Sequence, residues 1–379
     1  MLIQPELLEN VDGEISVPET PVQFESPQIT INDAEVDSLI RVNRARTTFQ
    51  VDGSGLTVAV LDTGLRTTHV DFANKVVAQR NFTTDNGGDA NNASDGQGHG
   101  TNVGGIIVAN DIHRGIALGA KIVPIKVLAN NGFGDFAAVE LALQWVLDNH
   151  EEHSISVVNM SLGGPTNNVD DSAFSGGRTA QLMRDLRNRG VAVVVAAGND
   201  FFKFKQEGMG FPAIIRECVS VGAVYDSNIG GPISYRSGAT AFTTDKDRLT
   251  PFSQRLHPNL NPATHTDIFA PGAPVTSAGI INDTSESIQS GTSQATPVVA
   301  GVILLMQQFF KQNTGQLPSV DLIVECLRRG SIEITDGDDE NDNVPHGNKT
   351  YPRIDALLAL ESVRRSLQLE LLTTQKAFR

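Results

Sequence analysis

Short apolar runs alternate with helical stretches through the central part of the chain. Val, Ile and Leu fill nearly every position of runs at residues 56–62, 121–128, 155–162, 191–197 and 218–224. Such continuous runs are typical of strands that are buried on both faces, as in a parallel sheet. Between them, apolar residues at helical spacing predict helices at 136–149 and 175–189. Strands that alternate with helices predict an α/β fold, with a doubly wound, mostly parallel sheet covered by helices on both faces.

The two ends of the chain have a different pattern from this centre. Residues 1–40 are polar and acidic, contain four prolines and show no helical period, so we expect an N-terminal extension there. A single domain is predicted over residues 41–363, followed by a helical tail over 364–379. Residues 240–266 are polar, with three prolines and two histidines, and are expected to form surface loops.

The distribution of charge along the chain argues against one class of partner. The net charge is −15, and two stretches account for it: residues 1–40 hold nine acidic residues and residues 331–343 hold six, with no Lys or Arg in either. The rest of the chain is balanced, so no basic surface is available for phosphates. We therefore expect no nucleic-acid partner, and we interpret both acidic stretches as solvated segments.

The apolar runs are too short for a membrane span, which needs roughly twenty residues. We therefore expect no membrane partner. The first residues resemble no secretory signal, and the two cysteines, Cys218 and Cys326, cannot build a disulfide framework. Both observations favour a cytoplasmic location, with a secreted protein whose signal lies outside this sequence as the alternative.

Polar side chains stand where three of the predicted strands end. Asp62, Ser161 and Asn199 each close or follow an apolar run. Because ligands of open α/β sheets lie beyond the carboxyl ends of the strands, these residues predict a site at that edge.

A histidine and a serine in glycine-rich segments complete a set with known chemistry. His99 lies in the segment DGQGHGTNVGG, and Ser293 begins a long apolar helical stretch. A serine hydroxyl needs an imidazole to take its proton, and the imidazole needs a carboxylate to orient it. We therefore expect Asp62, His99 and Ser293 to form a hydrogen-bonded row. Asn199 and the N–H of Ser293, at a helix N-terminus, would stabilise an oxyanion.

Four segments resemble the subtilisin-like serine proteases, the subtilase family, in the same order. They are VAVLDTG (58–64), GHGTNVGG (98–105), AAGN (196–199) and GTSQATP (291–297). The resemblance implies a serine endopeptidase that cleaves protein or peptide substrates through an acyl-enzyme. In it Ser293 is the nucleophile, His99 the general base, and Asp62 the residue that orients His99.

The same resemblance implies the substrate-binding residues. Gly132 and Gly134 would lie on one side of an extended substrate, with Ser161, Leu162, Gly163 and Gly164 on the other. The main specificity pocket would be formed by Ala196, Ala197, Gly198 and Gly210, and Asp200 at its rim predicts a mild preference for a long or basic side chain. The Phe211–Pro212 bond corresponds to a cis peptide in the family.

Two positions depart from the family pattern, Asn102 in place of a second histidine and Gln294 in place of a methionine. The chemistry requires no cofactor and no metal. Asp71 matches a calcium ligand of the family, but the loop after His99 looks too short for that site. Hydrated loops are the preferred interpretation of two further acidic groups, with calcium as the alternative: Asp338, Glu340 and Asp342, and Asp85, Asp89 and Asp95.

Three other hypotheses stay open at this point. The acyl-enzyme could pass its acyl group to an amine, which would make the protein a transferase. The fold could serve as a catalytically silent binding protein. Finally, the extension at 1–40 could be a processed remnant or a segment that blocks the cleft.

Overall fold

A computed structural model describes residues 14–16 and 34–377 of the chain. Its strands are β1 (Glu14–Ser16), β2 (Thr57–Asp62), β3 (Arg80–Asn81), β4 (Lys121–Lys126), β5 (Phe133–Asp135), β6 (Ile155–Met160), β7 (Ala192–Ala196), β8 (Val219–Tyr225), β9 (Ile233–Ser234), β10 (Thr240–Thr243), β11 (Ile268–Ala273), β12 (Val275–Ala278), β13 (Glu286–Gln289), β14 (Ile332–Asp336), β15 (Asn341–Asp342) and β16 (Lys349–Arg353). Its helices are α1 (Ala34–Ile40), α2 (Val42–Phe49), α3 (His99–Val108), α4 (Phe136–Asn149), α5 (Arg178–Asn188), α6 (Phe201–Phe204), α7 (Thr292–Thr314), α8 (Val320–Arg329) and α9 (Ala356–Ala377).

Within the described residues, the largest sheet has nine strands in the order β14-β16-β11-β8-β7-β6-β2-β4-β3. Every neighbouring pair is parallel except β14 and β16. Strand β4 lies beside β2 on one side, and β6, which comes after β4 along the chain, lies beside β2 on the other side. The strand order therefore reverses at β2, and ligands of such sheets bind beyond the carboxyl ends at this point.

Each central strand is buried on both faces, as the apolar runs predict. In β2, Val58 and Val60 belong to one core, with residues of α3, α7 and α9, while Ala59 and Leu61 belong to the other, with residues of α4 and α5. The side chains of successive strand residues point to opposite faces, so an unbroken apolar run supplies both cores. The predicted doubly wound α/β fold is confirmed.

The predicted strands and the helices at 136–149 and 175–189 are all present, with ends shifted by up to three residues. The prediction of surface loops over 240–266 is wrong in part. Thr240–Thr243 forms β10, and Ser253, Gln254 and Arg255 are buried. These polar side chains tolerate burial because they are paired: Arg255 donates to Asp336, and Gln254 donates to the Thr166 carbonyl.

The N-terminal helices belong to the folded body. Val36 and Ile40 in α1 and Val42, Ala45 and Phe49 in α2 are buried in the larger core. The predicted limit at residue 41 therefore falls between two packed helices, and the folded body includes both of them. The predicted tail from residue 364 continues α9 without a break.

Helix α7 has the length and composition of a membrane span, but 94% of its apolar window is buried inside the fold. It contacts the central strands β6, β7, β8 and β11 as well as α3 and α9. Such burial is typical of the central helix of a globular core.

Candidate active site

Asp62 and His99 form a buried hydrogen-bonded pair. Asp62 ends β2, His99 begins α3, and His99 Nδ1 lies 2.8 Å from Asp62 Oδ1. The same oxygen accepts the backbone N–H of Thr63 at 2.7 Å. Because the carboxylate is an acceptor, the hydrogen-bond network assigns the proton to Nδ1. His99 Nε2 then carries the lone pair that a general base needs.

Close backbone contact brings these two side chains together. A methyl group on Gly100 would lie 2.3 Å from the Gly64 carbonyl oxygen and 3.1 Å from Asp62 Cβ. The first turn of α3 can therefore lie against the end of β2 only because residue 100 has no side chain. Gly64 has a φ of 114°, in the region that favours glycine.

Asp95 fixes the start of the helix that carries His99. Its carboxylate accepts the backbone N–H groups of Gln97, Gly98 and Thr101 at 2.9, 2.9 and 3.0 Å, and the Thr101 hydroxyl at 2.7 Å. The bond to Thr101 satisfies a backbone donor that the N-terminus of α3 leaves open, and the bonds to Gln97 and Gly98 fix the turn that leads into the helix. An acidic residue shortly before a helix is a signal that the sequence could have offered for this role.

Ser293 is buried in the first turn of α7. Its hydroxyl donates to the Ser161 carbonyl at 3.1 Å, and the Ser161 hydroxyl donates to the Ser293 carbonyl at 2.7 Å. His99 Nε2 is buried and has no hydrogen-bond partner among the described residues. Of the expected row of hydrogen bonds, the Asp62–His99 bond is formed and the His99–Ser293 bond is not. Such catalytic bonds often become short only when substrate is bound.

Asn199 and Ser293 direct two N–H donors into one small space. Asn199 Oδ1 accepts the Thr292 backbone N–H at 2.9 Å and the Thr292 hydroxyl at 3.0 Å, which fixes the orientation of the amide. Asn199 Nδ2 is buried and has no partner among the described residues. A methyl group built on Gly291 would lie 3.1 Å from this Nδ2 and 3.5 Å from the Ser293 nitrogen. Two convergent donors of this kind suit a developing oxyanion.

Sequence reasoning missed the role of Thr292 in orienting Asn199, and no sequence signal points to it, because 93 positions separate the two residues. Lys126 was missed as well. Its fully buried ammonium group donates to the Thr63 carbonyl at 2.6 Å and to Asn130 Oδ1 at 2.9 Å, and so holds the turn after Asp62.

A cavity of about 260 Å³ lies beside these donors. The predicted substrate-binding residues that line it are Leu162, Gly163, Gly164, Ala196, Gly198 and Gly210, and Asn199 lines it as well. Ala197 does not line the cavity, because its side chain is buried in the core that contains α5, although its carbonyl accepts the Gly210 N–H at 2.9 Å. Ser161 contacts Ser293 and does not line the cavity either.

Gly132 and Gly134 lie at a separate strand edge. Gly134 is in β5, which pairs antiparallel with β1 through Ile15 opposite Gly134. Gly132 precedes it with a φ of 87°. This edge therefore accepts an extended segment, which is the property that a substrate-binding strand requires.

The two departures from the family pattern lie in one buried network. Gln294 Nε2 donates to Asn102 Oδ1 at 3.3 Å and to Gln289 Oε1 at 3.2 Å, and Asn102 Nδ2 donates to the Ser287 carbonyl at 2.9 Å. Each buried amide therefore finds partners within the chain.

Most of the carboxylates considered as calcium ligands accept hydrogen bonds from other groups of the chain itself. Asp71 accepts the backbone N–H of His113 at 3.0 Å and His113 Nδ1 at 2.7 Å. Burial opposes ionisation of Asp71, but its hydrogen bonds with His113 outweigh this and lower its pKa. Asp85 accepts the Asn130 N–H, and Asp89 accepts the Asn91 N–H.

In the acidic loop, residues 336–346, Asp342 pairs with His346. Asp338, Asp339 and Glu340 place one oxygen each within 4.8 Å of one another. A hydrated loop, with calcium as the alternative, stays the prediction here. The Phe211–Pro212 bond is cis, as the resemblance implies.

Comparison with known proteins identifies the family. The Subtilase family model matches residues 53–325. The chain is 33% identical over 269 residues to an extracellular serine proteinase of Thermus sp.. The match covers 71% of this chain and 54% of that relative, so this chain spans about half the length of the Thermus protein. It is 29% identical over 285 residues to the major intracellular serine protease of Bacillus subtilis, covering 74% of this chain and 77% of the relative. It is 33% identical over 259 residues to subtilisin DY of Bacillus licheniformis, covering 67% and 77%. Since the family match covers well over half of the 379 residues, the chain belongs to the subtilase family of serine proteases.

Proposed function

We propose that this protein is a serine endopeptidase that hydrolyses peptide bonds of extended polypeptides through an acyl-enzyme. The observation that carries the proposal is the buried His99, whose Nδ1 is held by Asp62 while Nε2 has no partner among the described residues. A histidine in that state can accept a proton from a hydroxyl group. Family membership supports the same assignment, since the matched relatives are named serine proteases.

The first step begins with rotation of the Ser293 side chain. The hydroxyl leaves the Ser161 carbonyl and donates to His99 Nε2, which takes the proton as Oγ attacks the substrate carbonyl carbon. The carbonyl oxygen gains the negative charge, and Asn199 Nδ2 and the Ser293 N–H donate to it. Asp62 stabilises the imidazolium ion and keeps its orientation.

The remaining steps return the proton. His99 Nε2 protonates the leaving amine, the peptide C–N bond breaks, and the acyl group stays on Ser293 Oγ. A water molecule then gives a proton to His99 and attacks the ester carbonyl, and His99 returns that proton to Ser293. Each group of the site therefore acts in both halves of the cycle.

Labelling with a fluorophosphonate probe tests this proposal. The full-length protein should react at one residue, and Ser293→Ala should abolish both the label and the cleavage of an unfolded protein substrate. Ser172→Ala, on an exposed loop, serves as the matched control and should keep both. Folded protein that neither reacts with the probe nor cleaves would favour the silent binding protein instead.

We further propose that the N-terminal segment limits access to the site. β1 runs antiparallel along β5, with Ser16 opposite Phe133, at the edge where an extended substrate is expected to pair. Residues of the chain itself would thus compete with substrate for the same backbone groups. A cytoplasmic location stays a prediction from the sequence.

A deletion of residues 1–30 tests this regulation, because it stops before α1 and its buried residues Val36 and Ile40. The shortened protein should cleave a peptide substrate faster than the full chain, and a synthetic peptide of residues 1–30 should inhibit it. Equal rates, with no inhibition by the peptide, would contradict this role.

A further inference from the structure

Two histidines and an aspartate form a buried cluster outside the candidate active site. The cluster consists of His69, Asp71 and His113, whose side chains are at most 6% exposed. His69 and Asp71 lie between β2 and β3, whereas His113 lies in the loop between α3 and β4. Polar side chains are costly to bury without partners, so the contacts within this cluster show what it does.

Asp71 is at the centre of the cluster and accepts hydrogen bonds on both carboxylate oxygens. Oδ1 accepts the backbone N–H groups of Asp111 and His113 at 3.2 and 3.0 Å. Oδ2 lies 2.7 Å from His113 Nδ1, and because an ionised carboxylate only accepts, the hydrogen-bond network assigns a proton to this nitrogen. The loop after α3 is therefore fastened to Asp71 by three hydrogen bonds.

His69 joins the cluster to the hairpin of β12 and β13. Its Nδ1 accepts the backbone N–H of Asp71 at 3.2 Å, so the proton of the ring is assigned to Nε2. Nε2 then donates to the Ser285 carbonyl at 2.9 Å. On the same hairpin, Glu286 Oε2 lies 3.7 Å from His113 Nε2. The cluster thus links the segment between β2 and β3, the loop after α3 and the β12–β13 hairpin.

Two of the linked segments continue directly from residues of the candidate active site. Asp62 ends β2 shortly before His69, and Ser293 follows β13 at the start of α7. A second attachment runs beside the first, since the Val70 N–H donates to the Asp283 carbonyl at 2.9 Å. The segment after Asp62 is therefore held against the hairpin that precedes Ser293.

Calcium is the ion that the family resemblance implies at Asp71, and the groups around this carboxylate do not fit it. Calcium takes about six to eight oxygen ligands in proteins. The groups that face the Asp71 oxygens are instead N–H donors, whose hydrogens would point at a cation. The Ser285 carbonyl, an oxygen of the kind that binds calcium, accepts the N–H of His69.

The loop after α3 is closed tightly, which keeps His113 at this place. The Gly115 N–H donates to the Ala109 carbonyl at 2.9 Å. A methyl group on Gly115 would lie 2.7 Å from the Ala109 nitrogen, so the closure depends on glycine. The closed loop leaves His113 in contact with Asp71.

We propose that His69 and His113 take the place of a calcium ion at Asp71 and join the loop after α3 to the β12–β13 hairpin without a metal. The buried carboxylate is satisfied by N–H donors of the chain where a cation would otherwise balance it. The stability of this part of the fold is consequently independent of calcium. This inference goes beyond the proposed function and does not depend on it, because it concerns the folded protein whether or not it cleaves peptides.

Urea denaturation in excess calcium and in excess EDTA tests the proposal. Every protein compared carries Ser293→Ala, so that an active protease cannot digest its own unfolded chain; the one with no other change is the parent protein. The difference in urea midpoint between the two conditions should be the same in the parent protein and in Asp71→Asn. Calcium bound elsewhere, as in the acidic loop, would contribute equally to both proteins.

His113→Leu should lower the urea midpoint by roughly 0.5 M, because Asp71 Oδ2 is left buried without its donor. Calcium should not restore the midpoint. His113→Asn should keep most of it, since the Asn amide can donate in place of Nδ1. Asp111→Asn is the matched control, because it removes an exposed carboxylate from the same loop and keeps the backbone N–H that Asp71 accepts. This control should leave the midpoint unchanged.

A second measurement does not depend on how the variants fold. In the parent protein with ring-labelled histidine, the NMR signals of His69 and His113 should keep their positions when calcium is added. The proposal is overturned if calcium moves both signals, or if it raises the urea midpoint of the parent protein more than that of Asp71→Asn. It is overturned equally if His113→Leu keeps the midpoint of the parent protein.

Discussion

At the scale of single residues, the geometry of the candidate active site depends on glycine, which has no side chain, as much as on the polar side chains themselves. Asp62 and His99 meet because Gly100 leaves room for the turn after β2. Asn199 presents its N–H groups to the site because Thr292 occupies its oxygen. Each of these dependences can be tested by a single substitution.

Gly100→Ala should separate the Asp62–His99 pair. The new methyl group would lie 2.3 Å from a backbone oxygen, which cannot give way without moving the start of α3. We expect kcat/KM to fall at least tenfold and the free energy of unfolding to fall by about 1–3 kcal/mol. Gly176→Ala is the control, because a methyl group there meets nothing within 4 Å. Equal activity of the two variants would contradict the tight contact.

Asn199→Ala should lower kcat with little change in KM, because the lost donor acts on charge that develops in the transition state. The size of the effect is that known for the oxyanion-hole amide of subtilisin itself, about 10²–10³ in kcat. Steady-state kinetics on a peptide ester and a peptide amide measure it. Asn313→Ala, at the exposed end of α7, should leave kcat unchanged. A change confined to KM would remove Asn199 from the oxyanion site.

At the scale of elements, helix ends and strand ends position the chemistry. Asp62 ends β2, and Ser161 and Asn199 follow the ends of the neighbouring strands β6 and β7. His99 and Ser293 lie in the first turns of α3 and α7. The apolar runs predict these strands well, since burial on both faces demands apolar residues at every position. The β9–β10 hairpin and the buried positions within residues 240–266 could not be predicted from the sequence, because the polar residues there form hydrogen bonds with residues far along the chain.

Asp95→Ala should weaken the start of α3 and displace His99. Loss of the carboxylate removes four hydrogen bonds, so we expect a loss of about 0.5–2 kcal/mol in the free energy of unfolding, measured by urea denaturation. kcat should fall as well, because His99 is the first residue of this helix. Asp89→Ala, which removes an exposed carboxylate from the preceding loop, should change neither quantity. Unchanged kcat in Asp95→Ala would show that His99 is held by other contacts.

At the scale of the whole molecule, the acidic loop of residues 336–346 joins distant parts of the fold. It connects β14 to β16, and its strand β15 pairs with β10. Asp336 in this loop accepts a hydrogen bond from the buried Arg255. Hydrogen bonds that His346 donates to the carboxylates of Asp336 and Asp342 raise the pKa of His346 to about 10. The sequence interpretation as a solvated segment missed this connecting role.

His346 should make stability depend on alkaline pH. Its pKa in the folded protein lies above the ordinary value of 6.5, so the charged form is stabilised by folding. That contribution is complete below about pH 6.5 and declines as the pH rises toward 10. The urea midpoint should therefore fall between pH 7 and pH 10, and His346→Gln should flatten this fall. Identical slopes for the two proteins would exclude the contribution.

The α/β class and the order of the strands along the chain follow from the sequence alone, which also predicts the candidate catalytic residues. Those features follow from local patterns, because burial on both faces shapes each strand and the chemistry demands particular side chains within short segments. Only the folded structure shows which donors orient Asn199 and which glycine lets His99 approach Asp62. These contacts join residues that lie tens to hundreds of positions apart, and only the packing of the folded chain brings them together.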